Sequence, residues 1–249
     1  MSFFKDKRKR KIFIIVLSVV LVLTVIFAMC GIYLGDYYKA DMQAIQIFLR
    51  DEMQWEKDRN GNIAFVPNGA TEGFIFYPGG KVEYTAYIPL MQELYKQGVL
   101  CIIVEMPFNL AVFDINAADE IQEEYPYIES WYIGGHSLGG SMAASYIANK
   151  TEDYDGLVLL GAYSTADLSN SKIDVLSIYG REDEVMNRQK YENNKSNLPQ
   201  DFTEIVIEGG CHAYFGMYGE QKGDGIPSIS NEEQIHITAD AIVEKIKGN

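Results

Sequence analysis

Residues 131–144, WYIGGHSLGGSMAA, set the tightest constraint in the sequence. An apolar run leads in, two glycine pairs bracket His136-Ser137-Leu138, and small residues lead out. Inside it, Gly135-His136-Ser137-Leu138-Gly139 reads G-x-S-x-G where a strand pattern gives way to a helix pattern. Such a corner presses the helix against the strand it follows, so the flanking positions must lack side chains. Gly135 and Gly139 meet that demand, and Ala143 keeps the helix slim. A corner of this kind lifts the serine hydroxyl clear of the sheet. The helix start then aims free N–H groups, Leu138's among them, at any oxyanion forming there. A glycine-lined turn without chemistry needs the same residues, so the motif asks for partners elsewhere.

The rest of the chain supplies a sheet for that corner. Residues 73–77, 100–106, 131–135, 156–163, 175–180 and 204–210 are continuous apolar runs rather than alternating ones. Runs of that type mark strands covered on both faces. Between them, Tyr87, Leu90, Met91 and Leu94 recur at helical spacing with Gly98 as a stop signal. Helices are also expected over residues 111–124 and 138–149. A last one opens at Ser230 with Glu233 three residues on, a capping box. Asn60-Gly61 predicts a hairpin turn. Strands alternating with helices specify an α/β fold, a mainly parallel sheet with helices on both faces.

A serine hydroxyl needs a base, and the base needs an acid to orient it. Of the three histidines, His136 lies inside the corner with its side chain pointing away from Ser137, and His236 sits beside the apolar stripe of the last helix. His212 opens a loop at the carboxyl end of a strand, the place for a base. Asp183 stands three residues past the strand at 175–180, flanked by Glu182 and Glu184 as alternatives. The order Ser137, Asp183, His212 is that of a hydrolase triad on an α/β sheet. A second oxyanion donor is expected from the loop after residues 73–77, where Gly79, Gly80 and Lys81 expose N–H groups. Gly80 is favoured, with Lys81 next to it.

The N-terminus is a different kind of sequence. Residues 1–11 carry six Lys/Arg and one Asp, a local charge of +5; the chain totals −14, leaving −19 on the remainder. Residues 12–34 hold no charge at all. As a helix those 23 residues reach roughly 34 Å, enough to cross a hydrocarbon core of about 30 Å. The run exceeds the apolar region of a cleaved signal peptide. A lipoprotein signal ending at Cys30 is the rival, and Met29 fits poorly the small residue it requires. The expected topology is a single pass in the cell membrane, the basic tip cytoplasmic and the remainder outside. Residues 35–60 read as an amphipathic stalk and first strand, and residues 61–249 as the main domain. Cys30, Cys101 and Cys211 have no regular spacing, which suits neither a disulfide framework nor a zinc site. Cys101 and Cys211 read as packing residues. An acidic body argues against nucleic-acid partners. No cofactor is called for, and oligomeric state leaves no trace.

FYPGG, MPFNLAVFDINAA, GGHSLGGSMAA, LSIYGREDEV and GGCHAYFGMYGEQKGDG together resemble the α/β-hydrolase superfamily. More narrowly they look like its membrane-tethered bacterial branch related to dienelactone hydrolases. The resemblance runs from about Ile63 to the C-terminus. It implies a Ser-His-Asp hydrolase on Ser137, His212 and Asp183, with a small-molecule acyl substrate. Dienelactone hydrolases proper use a cysteine nucleophile, so their substrate does not carry over. A hydrolase-fold binding module without catalysis, or the same triad used for acyl transfer or amide or thioester cleavage, remains an alternative. Tyr214, Tyr218, Gln221 and Asp224, in the long loop after His212, shape a pocket or fold the loop.

Overall fold

The computed structural model describes residues 7–49 and 55–248. Two compact units divide between Tyr37 and Tyr38. The first contains helix α1, Lys7–Gly35, which covers the whole uncharged run and buries none of its residues. It is long and apolar enough to cross a membrane. Its two internal hydroxyls turn back onto the helix, Ser18 Oγ donating to the Ile14 carbonyl and Thr24 Oγ1 to the Val20 carbonyl, each over 2.9 Å. A helix in lipid must satisfy its polar groups internally in this way.

The second unit begins with α2, Met42–Leu49, which buries Ile45 and Leu49 in the core. Two such aliphatic side chains are worth roughly 1.5–3 kcal/mol each. The sheet then builds from β1 (Glu56–Lys57), β2 (Ile63–Phe65), β3 (Glu72–Tyr77), β4 (Leu100–Ile103), β5 (Ser130–His136), β6 (Gly156–Leu160), β7 (Asp174–Gly180) and β8 (Thr203–Ile207). The spatial order is β1-β2-β4-β3-β5-β6-β7-β8. β1 and β2 form the expected hairpin, with Gly61 at φ 88°, and β2 runs antiparallel to β4. All other pairs are parallel. Helices α3 (Ile88–Lys96), α4 (Ile121–Glu124), α5 (Leu138–Ile147), α6 (Arg188–Asn194) and α7 (Asn231–Lys247) complete the fold.

Alternation along the strands divides the core into two layers. Phe74 and Phe76 of β3 face α2, α3 and α7, while Ile75 and Tyr77 face α5 and Ile121 of α4. Both faces of the sheet are thus covered, which is why the strands read as unbroken apolar runs. The predicted cap of α7 is present: the Glu233 N–H donates to Ser230 Oγ over 3.0 Å.

One helix is absent. The expected helix over residues 111–124 is replaced by 3-10 turns at Pro107–Asn109 and Ala111–Phe113 and by the single turn of α4. Tyr77 of β3 is the cause. Its hydroxyl donates to the Ile115 carbonyl over 2.8 Å and accepts from the Ala118 N–H over 3.0 Å. The segment wraps that phenol instead of closing its own helical bonds. A helix that the sequence pattern did not indicate, α6, appears after Asn187, whose side chain caps it by accepting the Lys190 N–H.

Candidate active site

Strand β5 delivers Ser137 to the start of α5 with φ 52° and ψ −121°. Backbone of that kind costs on the order of 1–3 kcal/mol in a residue with a side chain and persists only where its surroundings enforce it. Here the Ser137 N–H donates to the Leu160 carbonyl at the end of β6 over 2.9 Å, and the Ser141 N–H donates back to the Ser137 carbonyl. The glycines make the corner possible. A Cβ on Gly139 would lie 2.2 Å from the carbonyl oxygens of Tyr77 and Pro78, and one on Gly135 would lie 2.4 Å from that of Tyr77. Leu138 is the first residue of α5, so its N–H has no acceptor inside the helix.

Asp183 and His212 follow β7 and β8 and meet. The His212 Nδ1–H donates to Asp183 Oδ2 over 2.8 Å, with the two side chains 1% and 0% exposed. Asp183 Oδ1 accepts the Val185 and Met186 N–H groups at 3.0 and 2.8 Å. Three donors therefore fix the carboxylate. With Nδ1 facing Asp183, Nε2 is the remaining ring nitrogen, and it is buried without a hydrogen bond. Glu182 and Glu184, the sequence alternatives, are exposed.

A corner of β6 brings the pair next to the serine. Gly161, φ 52°, follows Leu160, the acceptor of the Ser137 N–H. A Cβ on Gly161 would lie 2.9 Å from His212 Nδ1 and 3.2 Å from Asp183 Oδ2. No hydrogen bond joins Ser137 Oγ to His212 Nε2 in this structure. Asp183 and His212 are joined to each other, and the serine hydroxyl stands outside that pair.

The loop after β3 offers three N–H groups and uses two. Gly79 N–H donates to Tyr87 Oη over 3.1 Å, and Lys81 N–H donates to the Asn109 carbonyl over 2.7 Å. Gly80 N–H has no acceptor. A Cβ on Gly80 would lie 2.9 Å from Leu138 Cδ2, so the two expected oxyanion donors belong to neighbouring residues. Strain gathers at the same place. Among the described residues five without a glycine's freedom have positive φ, namely Lys81, Phe108, Asn109, Glu120 and Ser137; four of them stand in the serine corner or its facing loops.

His136 lies behind the corner rather than at the hydroxyl. Its Nδ1 shares a 2.8 Å hydrogen bond with Tyr87 Oη, and its ring centroid lies 4.4 Å from that of His212. Burial, reinforced by the adjacent His212, holds its pKa well below the ordinary histidine value. Tyr87 thus ties the loop after β3 to the serine corner, a link that sequence could not signal because Tyr87 reads as one more apolar position of the helical pattern that leads into α3. His236 is a surface residue, half exposed, stacked on Phe48 and 3.3 Å from Glu93.

Asp224 clasps the loops that carry Asp183 and His212. Its Oδ2 accepts the Ala213 N–H over 2.8 Å and its Oδ1 accepts the Gly225 N–H over 2.9 Å, with the Glu184 N–H at 3.4 Å. A cavity of about 360 Å³ opens beside it, lined in part by Cys211, Tyr214 and Gln221. Burial, followed by the nearby Asp224 charge, pushes the Cys211 thiol up to about 12, which keeps it protonated and unreactive. Cys101 is a core residue. Among the described residues no group of three or more His, Cys, Asp or Glu is placed to hold a metal ion.

Comparison with known proteins agrees with this architecture. Residues 73–236 match the model of the alpha/beta hydrolase family. No curated protein matches the sequence. Among solved structures, a dienelactone hydrolase from Anabaena variabilis superposes with a TM-score of 0.59 at 16% identity, covering 78% of this chain and 97% of its own. The esterase domain of a Rhodothermus marinus protein gives 0.57 at 11% identity, covering 77% and 97%. Carboxyl esterase 2 from the fungus Tuber melanosporum gives 0.56 at 12% identity, covering 79% and 88%. At these identities the superpositions speak for the fold, and the family match spans most of the chain. The chain belongs to the alpha/beta hydrolase family.

Proposed function

We propose that this protein is a membrane-anchored serine hydrolase that cleaves an ester-type acyl substrate through an acyl-enzyme. One observation carries the reading: the buried His212 ring has its Nδ1–H committed to Asp183 and its Nε2 left without a partner, beside a strained serine. Nε2 takes the Ser137 proton as Oγ attacks the carbonyl carbon. The N–H groups of Gly80 and Leu138 hold the oxyanion. The imidazolium then protonates the departing alcohol, and water, deprotonated by the same nitrogen, releases the acid and restores Ser137. Ester cleavage is favoured over other acyl chemistry because solved structures similar in fold include a carboxyl esterase and an esterase domain. Helix α1 is the proposed anchor, with the basic residues on the cytoplasmic side and the body outside.

A non-catalytic binding module is the competing reading, favoured by the absent Ser137–His212 hydrogen bond. The test is turnover of p-nitrophenyl acetate by the full chain in detergent. Steady hydrolysis that disappears in Ser137→Ala and His212→Ala supports the hydrolase. A folded wild type that releases no nitrophenol supports the module. Adding alcohol or amine acceptors and analysing products separates hydrolysis from acyl transfer.

A further inference from the structure

The segment that displaced the expected helix shows three large apolar side chains to solvent. Phe108 is 62% exposed, Val112 50% and Phe113 57%. The two phenyl rings meet edge to face, with centroids 5.9 Å apart. Phe108 and the next residue, Asn109, both hold positive φ, 55° and 56°. Consecutive non-glycine residues in that region are costly, and an aromatic ring there, pointed at water, gains nothing for folding. Exposed apolar clusters of this kind mark binding surfaces.

The location says what binds. The Asn109 N–H donates to the Met106 carbonyl over 3.0 Å and its carbonyl accepts the Lys81 N–H, which leaves Gly80 as the free donor of the oxyanion loop. Leu110, the next residue, is buried with Cδ2 3.6 Å from where a Cβ on Gly80 would stand. The strained backbone therefore sets the oxyanion loop and the exposed rings together. A carbonyl held by Gly80 and Leu138 would sit beside Leu110, which lies two residues from both Phe108 and Val112. We infer that Phe108, Val112 and Phe113 form an apolar shelf that binds a hydrocarbon chain attached to the reacting carbonyl, so that the substrates are esters bearing an apolar acyl or alkoxy chain. This rests on the hydrolase reading above and names the substrate class of the same site.

Two ester series test it on the full chain in detergent. One lengthens the acyl group from p-nitrophenyl acetate to hexanoate, and the other lengthens the alcohol from ethyl acetate to hexyl acetate. The variant is Phe108→Asn with Phe113→Ser, since asparagine tolerates positive φ while removing the ring; its melting temperature reports folding. Burying one methylene is worth about fourfold in affinity. A chain laying two of its added methylenes on the shelf therefore gains roughly 15-fold in kcat/KM. The inference expects the long-to-short kcat/KM ratio of the wild type to fall by about that factor in the variant, and the series in which it falls identifies the acyl or the alcohol side. Equal ratios in both proteins and both series overturn the shelf and leave the patch to a protein or lipid partner. A wild type that cleaves no ester in either series overturns the hydrolase reading and the shelf with it.

Discussion

Asp183→Asn isolates what the carboxylate does. Oδ1 accepts the Val185 and Met186 N–H groups at 3.0 and 2.8 Å, so an asparagine must place its carbonyl oxygen there. Its NH2 group then faces His212 Nδ1, where a carboxylate oxygen now sits at 2.8 Å. Two donors cannot face each other, so Nδ1 becomes the acceptor and the proton moves to Nε2. That nitrogen can then no longer accept from Ser137. The fold keeps its hydrogen bonds and loses only the tautomer, a change worth about 10⁴-fold in kcat in triads of this type, or about 5.4 kcal/mol of transition-state stabilisation. Steady-state kinetics on an activated ester read it directly, with KM nearly constant because the substituted atom is buried away from substrate. A variant with melting unchanged and kcat within tenfold of wild type would refute the tautomer argument.

Gly80→Ala places a methyl 2.9 Å from Leu138 Cδ2, forcing the oxyanion loop outward; kcat should fall about 10²-fold with little change in KM, and an unchanged kcat would remove Gly80 from the oxyanion site. Asp224→Ala leaves the Ala213 N–H, next to His212, without its acceptor. A loss of about 1–2 kcal/mol lowers the melting temperature by roughly 2–8 °C, measurable by differential scanning fluorimetry. The buried His136 contributes a pH dependence of definite sign. Its folded pKa lies below 6.5, so the unfolded chain takes up the proton first as pH falls: stability is whole above pH 6.5 and is lost below it. The melting temperature should therefore fall progressively as pH drops below 6.5, and His136→Gln should abolish that component of the melting curve's pH slope. Parallel slopes in the two proteins would contradict it.

The inner strands of the sheet were legible because each announces itself. Residues such as Phe74, Ile75 and Phe76 face two different helical layers, and only an unbroken apolar run serves both. The Ser230 cap and the Asn60-Gly61 turn are local devices and were legible for the same reason. The segment after Met106 was not, because the bonds that shape it come from Tyr77, about forty positions earlier. Helix α6 buries only Tyr191 and so offers no apolar stripe to detect. Within the candidate site, Ser137, Asp183 and His212 stood out because each follows a strand at the same end of the sheet. Sequence favoured Asp183 over its neighbouring glutamates and Gly80 over Lys81, but which of these groups are buried or already bonded is visible only in the structure. The contributions of Tyr87, Asn109 and Asp224 lie in hydrogen bonds that join separate loops, which spacing does not encode.

Covalent capture by an alkyl fluorophosphonate asks most directly whether this hydroxyl is activated by that imidazole. Peptide mass spectrometry on the full-length protein should place the phosphonyl adduct on Ser137 alone, with no adduct in Ser137→Ala and slowed labelling in His212→Ala. A folded protein whose Ser137 stays unmodified, or labels equally fast without His212, would contradict the account.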